Sequence, residues 1–155
     1  ERFPPLTEEE KARMADEAIE YIPGRVEYYG RQMGLEPAGI RVTMAEHRFG
    51  SCSGKNRLCF SYRLMRYPRE AIDYVVVHEL SHIVHKNHGR DFYRLIESVL
   101  PDWQRRENML RDAPAGVFID ARCDKIFTAA LCRAKVKKQE GSRGGQKDSY
   151  PYRFR

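Results

Sequence analysis

His78 and His82 stand four residues apart at the end of the most apolar stretch of a 155-residue chain, and that spacing constrains the fold more than any other feature. Four residues along an α-helix advance about 400° and rise about 6 Å, so the two side chains leave one face a single turn apart. Upstream, Ala71, Ile72 and the run Tyr74 to Val77 place apolar side chains on nearly every side of the same segment. In a soluble chain a helix of that kind lies at the centre of the core. The three consecutive valines would suit a strand, because β-branched residues lose side-chain freedom in a helix, but the histidine spacing overrules them. Pro68 sits where a helix can begin, so the expected element is a buried helix from Arg69 to about Val84.

His78-Glu79-Leu80-Ser81-His82 has the form HExxH. On a helix the two imidazoles converge on a point about 2.0–2.1 Å from each nitrogen, the bond length of a zinc ion. Glu79, about 100° round the helix, cannot join them from that face, yet it reaches a water on the metal and can take its proton. Zinc lowers the pKa of bound water to about 7, so the expected chemistry is hydrolysis with Glu79 as the catalytic base. The pattern also recurs by chance, and the competing reading is two hydrogen-bonded helix histidines. A buried apolar helix before the motif and two more histidines just after it argue for the metal. A catalytic zinc keeps three protein ligands. His85 would stand about 10 Å along a straight helix from His78, too far to share one ion comfortably. His88, past a bend near Asn87 to Gly89, can fold back and is the preferred third ligand. Glu97 on the next helix remains an alternative, and His85 then falls to a supporting or substrate contact.

Elsewhere, Thr7 and Glu10 form a capping box that opens a helix with Met14, Ala18, Tyr21 and Ile22 at helical spacing. Pro23-Gly24 is expected to kink or break it, and a second helical pattern, Val26, Tyr29 and Met33, closes at Gly34. Ile40 to Ala45 and Arg57 to Tyr62 read as strands pairing as an antiparallel ribbon through the Gly50, Ser53-Gly54 and Asn56 cluster. After a cap at Asp91, residues Phe92, Tyr93, Leu95, Ile96, Val99 and Leu100 recur at helical intervals and read as core, as does Trp103. Arg48 and Arg63 border the predicted strands. Each is a candidate to bind a phosphate or an oxyanion, set against the plainer reading of a surface arginine. His47 is expected to be exposed.

The net charge of +6 invites a nucleic-acid reading until its position is checked. Residues 133–155 carry eight basic and two acidic side chains, while residues 1–132 carry 20 of each sign. Only the tail, with Tyr150, Tyr152 and Phe154, could give salt-sensitive binding to nucleic acid or engage an acidic partner, as in the alternative reading of a non-catalytic zinc-containing binding module, and its composition suits a solvated, flexible terminus. The chain length fits one core, read as a hydrolase domain over 1–112 with an extension over 113–155. Four cysteines without CxxC spacing read as reduced thiols in the cytoplasm, with a Cys52–Cys59 pair across a hairpin as the geometric alternative. The longest apolar run, Tyr74 to Val77, falls far short of the roughly 20 residues of a membrane span, so a soluble protein is expected. The sequence does not speak to oligomeric state.

Several motifs together resemble the YgjP-like family of zinc metallopeptidases: Phe49-Gly50-Ser51-Cys52-Ser53, Tyr62-Arg63-Leu64, the segment Ile72 to His82, His85-Lys86-Asn87-His88, and Phe92-Tyr93. The resemblance covers about residues 5 to 112. It implies an α+β, small zincin-like domain with N-terminal helices, a short antiparallel sheet and a buried active-site helix. It further implies His78, His82 and His88 on a zinc ion and Glu79 as the catalytic residue. The substrate it implies is a peptide, or a nucleotide, since a bacterial relative is described as a pyrophosphatase acting on UTP. Phe49 stands where a tryptophan is usual in the family, and Gly89 where a serine is usual.

Overall fold

A computed structural model describes residues 4–111; the extension expected over 113–155, with its basic surplus and with Cys123 and Cys132, lies outside the described residues. Helix α1 runs over Glu8–Met33. Its first turn is closed as expected: the Thr7 hydroxyl accepts from the Glu10 amide at 3.2 Å, and the Glu10 carboxylate accepts from the Thr7 amide at 2.8 Å. At the far end Gly34 takes φ 65°, and the Leu35 amide donates to the Gly30 carbonyl, 2.9 Å away, in the 6→1 bond of a Schellman stop.

The expected break at Pro23 does not occur. Two N-terminal helices are one, because Ala18, Ile22, Pro23, Val26, Tyr29 and Gly30 form a single buried face on both sides of the proline. Packing along that face outweighs the one backbone hydrogen bond that Pro23 withholds.

Strands β1 (Gly39–Thr43), β2 (Gly50–Cys52) and β3 (Arg57–Ser61) form a mixed sheet in the order β1-β3-β2. Here too the expectation is corrected, since β1 runs parallel to β3 and the antiparallel partner is the three-residue β2. A tight turn at Ser53–Asn56 makes β2 and β3 the hairpin, with Asn56 at φ 59° and its amide bonded to the Ser53 carbonyl. With one edge of β3 so occupied, β1 can only take the other. The register also removes the proposed cysteine pair: Cys52 lies opposite Leu58 and Ser51 opposite Cys59, so the two thiols point to opposite faces and do not bond to each other.

A 3₁₀ turn, Tyr62–Arg66, leads into α2, Arg69–Val84, as the histidine spacing predicts. Every residue from Ala71 to His82 is buried. This helix is the axle of the domain, touching α1, β2, and the two helices that follow, α3 (Arg90–Val99) and α4 (Trp103–Arg111). Burial on all sides is what holds Val75 to Val77 helical against their local preference. A charged tie fixes α1 to it: Arg25 grips Asp73 with two hydrogen bonds of 2.8 and 2.9 Å, and the Tyr29 hydroxyl donates to the same carboxylate at 3.1 Å. Among the described residues no helix is long and apolar enough to cross a membrane.

Candidate metal centre

Helix α2 ends at Val84, and His85, the capping residue beyond it, has turned to extended backbone. That turn carries His88 back over the last two turns of the helix. His82 Nε2 lies 3.0 Å from His88 Nε2, which lies 3.2 Å from His78 Nε2, and the three donor atoms all fall within 4.8 Å of one another. Of the three ligand candidates weighed after the helix, the structure brings His88 to the pair. His85 faces them through its backbone, and Glu97 is exposed on α3 and takes no part in the cluster. His47 is exposed, as expected.

The inner nitrogens are oriented from behind. The His82 Nδ1–H donates to the His85 carbonyl at 2.9 Å, which leaves a lone pair on Nε2 facing inward. His78 Nδ1 meets the hydroxyl of Tyr74, 3.3 Å away, and that hydroxyl lies 3.4 Å from Glu107 Oε1 on α4. Phe92, 1% exposed, touches all three imidazoles, with ring centroids 4.6 Å from His82, 4.8 Å from His88 and 4.9 Å from His78. Lys86, in the same loop as His88, bonds to the Asn56 side chain and so ties that loop to the β2–β3 turn.

The arrangement suits a cation. Inward nitrogens 3.0 and 3.2 Å apart approach the separation of about 3.3–3.4 Å between neighbouring donors at tetrahedral bonds of about 2.0–2.1 Å. A single His88 N–H could point along only one of the two contacts, whereas an ion among the three satisfies all of them. Imidazole sets of this kind suit zinc, copper, iron and nickel. Burial pushes His78 well below the usual histidine range, helped by the neighbouring His82 and His88, and pushes His82 down to about 4 against the opposing pull of the His85 carbonyl. Both rings are therefore ready to ligate at neutral pH without losing a proton first.

Glu79 is 2% exposed, and its Oε2 atom has no hydrogen-bond partner among the described residues. Burial drives its carboxyl up to about 8, with the positive charge of Arg48 pulling the other way. The side chain is pressed against β2: a Cβ on Gly50 would lie 2.8 Å from Glu79 Oε1. An orphaned buried carboxylate oxygen beside a nitrogen cluster is the feature that a metal and its water would complete. Arg48 thus lies within electrostatic reach of Glu79. Arg63 is engaged elsewhere, with the Glu46 carbonyl at 3.3 Å, the Glu46 carboxylate at 3.9 Å and the Tyr62 hydroxyl at 3.4 Å.

Sequence reasoning missed four contributors. Phe92 is core as expected but is also the floor under the histidines, and Gly50 is the space that admits Glu79. Tyr74 was within reach, being four residues before His78 on the same helical face. Glu107 carried no local signal, because only the packing of α4 on α2 brings it near.

Comparison with known proteins bears on the fold and the family. No curated protein sequence matches the chain. Among solved structures, the metallopeptidase zymogen abylysin of Pyrococcus abyssi is similar in fold, with a TM-score of 0.55 at 17% identity over 63% of this chain and 99% of that one. The model of the YgjP-like metallopeptidase domain matches residues 8–113, from the first helix through the end of α4, and by that match the chain belongs to the YgjP-like metallopeptidase family.

Proposed function

We propose that this chain is a zinc-dependent peptidase in which His78, His82 and His88 hold the ion and Glu79 takes the proton of the attacking water. The observation that carries the reading is the meeting of three imidazole nitrogens beside a buried carboxylate with one unpartnered oxygen. Three ligands with a base beside them is a catalytic pattern, since structural zinc sites close with four protein ligands and need no base. A bound zinc ion supplies Lewis acidity, lowering the pKa of a coordinated water to about 7 and polarising the scissile carbonyl.

The chain's own residues do the rest. Glu79 accepts the water's proton at its carboxylate and, with the proton held there, can deliver it to the leaving amine. Burial strengthens Glu79 as a proton acceptor relative to an exposed carboxylate, and the positive charge of Arg48 favours the ionised form that the step needs. Arg48 offers a guanidinium near Glu79 for the negative charge that grows on the substrate oxygen. Phe92 and the apolar wall keep the three rings in one orientation. Membership of a metallopeptidase family favours a peptide as substrate.

The test is metal analysis of the purified chain coupled to a hydrolysis screen of peptides and nucleoside triphosphates, with and without chelator. The expected result is stoichiometric zinc and chelator-sensitive peptide cleavage. Glu79→Gln should keep its zinc and lose about 10²–10⁴-fold in rate. Cleavage confined to triphosphates would transfer the substrate assignment to nucleotides. Loss of zinc from Glu79→Gln, or full activity without the carboxylate, would refute the role given to Glu79.

A further inference from the structure

We infer that Tyr74 and Glu107 form a hydrogen-bonded relay that holds His78 with its proton on Nδ1 and so aims its Nε2 lone pair at the metal position. Glu107 acts through Tyr74 as a positioning residue. The inference rests on the proposed reading of His78 as a metal ligand.

The direction of the relay follows from proton counting. A carboxylate only accepts, so the single proton of the Tyr74 hydroxyl goes to Glu107 Oε1, 3.4 Å away. The phenol oxygen is then left to accept, and its other neighbour is His78 Nδ1 at 3.3 Å. Accepting from that nitrogen requires Nδ1–H, which leaves Nε2 as the lone-pair donor facing His88. With Glu107 absent, the hydroxyl proton could turn towards His78 Nδ1, place the ring proton on Nε2, and point an N–H at the place a cation would take.

The parts of the relay are held in place. Tyr74 is fully buried on α2, packed edge-on against His78 at 5.7 Å and parallel to Trp103 at 6.3 Å. Arg111 contacts the other oxygen of Glu107 at 3.3 Å, so Oε1 is the one left for Tyr74. His82 obtains the same orientation from a carbonyl three residues away. His78 obtains it from another helix, which makes the metal centre sensitive to how α4 is seated.

The test uses the full chain. Zinc affinity is measured by competition with a chromophoric chelator, the ligand field by the absorption spectrum with Co2+, and the His78 tautomer by ring ¹⁵N shifts of the metal-free protein. Tyr74→Phe keeps the ring and removes only the hydroxyl; it is expected to weaken zinc binding about 10–100-fold and to take His78 off the Nδ1–H form. Glu107→Ala should weaken binding in the same direction, Glu107→Gln should restore most of it because its amide oxygen still accepts, and the double variant Tyr74→Phe/Glu107→Ala should be no weaker than Tyr74→Phe. The Glu107 variants, on a partly exposed helix face, keep the test open should Tyr74→Phe fold poorly. Equal zinc affinity in wild type, Tyr74→Phe and Glu107→Ala overturns the relay, and additive losses in the double variant overturn the claim that Glu107 acts through Tyr74. A wild-type chain that takes up neither ion overturns the ligand reading instead, and the ¹⁵N tautomer pattern separates that failure from a failure of the relay.

Discussion

Gly50 and Glu79 constrain each other. Any side chain at position 50 would meet the Glu79 carboxylate at 2.8 Å, and nothing but glycine leaves that oxygen where it is. Gly50→Ala is therefore expected to displace the base while leaving the three histidines alone. Its kcat/KM should fall about 10²-fold, the cost of moving a reacting group by about an ångström, with zinc content unchanged. The titrating residues make a second prediction, for protein stripped of metal. Glu79 has a folded value of about 8, above its ordinary 4.5, so its contribution to stability is present below 4.5 and is lost as pH rises towards 8. His82 is the reverse: at about 4 it lies below its ordinary 6.5, so its contribution holds above 6.5 and is lost as pH falls towards 4. Denaturant titrations in chelator from pH 5 to 8.5 should show wild type losing stability relative to Glu79→Gln as pH rises. A constant difference would mean that Glu79 does not titrate in that window.

At the level of elements, α2 was legible because two independent signals, the Pro68 start and the His78–His82 spacing, agreed on one helix, and its apolar surround announced its burial. The sheet was not legible in the same way. A strand of three residues, Gly50–Cys52, is too short to show alternation and was absorbed into the connecting turn, which left β1 and β3 as the only candidates to pair. Pro23 misled for a different reason: a local rule met a long buried face that sequence position alone does not weigh. The three-histidine cluster was readable in outline, since a bend after Val84 had to be inferred, whereas the contribution of α4 was not. The contact between α1 and α2 carries its own prediction. Asp73 is 8% exposed and accepts from Arg25 and Tyr29, so Asp73→Ala removes the shared carboxylate from a partly buried guanidinium and a buried phenol and leaves them, among the described residues, only their hydrogen bond to each other at 3.3 Å. Chemical denaturation should show a loss of about 2–3 kcal/mol. Zinc affinity should change far less, because the tie lies on the face of α2 turned away from the histidines.

For the whole molecule, the family match ends at residue 113, three residues beyond Leu110, which is buried among the described residues. A chain ended after residue 113 is expected to keep zinc and hydrolytic activity within about twofold, and to lose whatever salt-sensitive affinity for polyanions the full chain has, since residues 133–155 hold its entire charge surplus. Retention on a polyanion column by the shortened chain at low salt would contradict that division of labour. His88 differs from its two companions in kind. They project from the most deeply packed helix of the domain, while it hangs on a short connector pinned to a hairpin tip by Lys86 and Asn56. Two of the three ring nitrogens are thus placed by the core itself, and the third by a loop that the hairpin holds. The geometry of the cluster therefore answers to two separate parts of the molecule, the interior that seats one helix and the turn that anchors one connector.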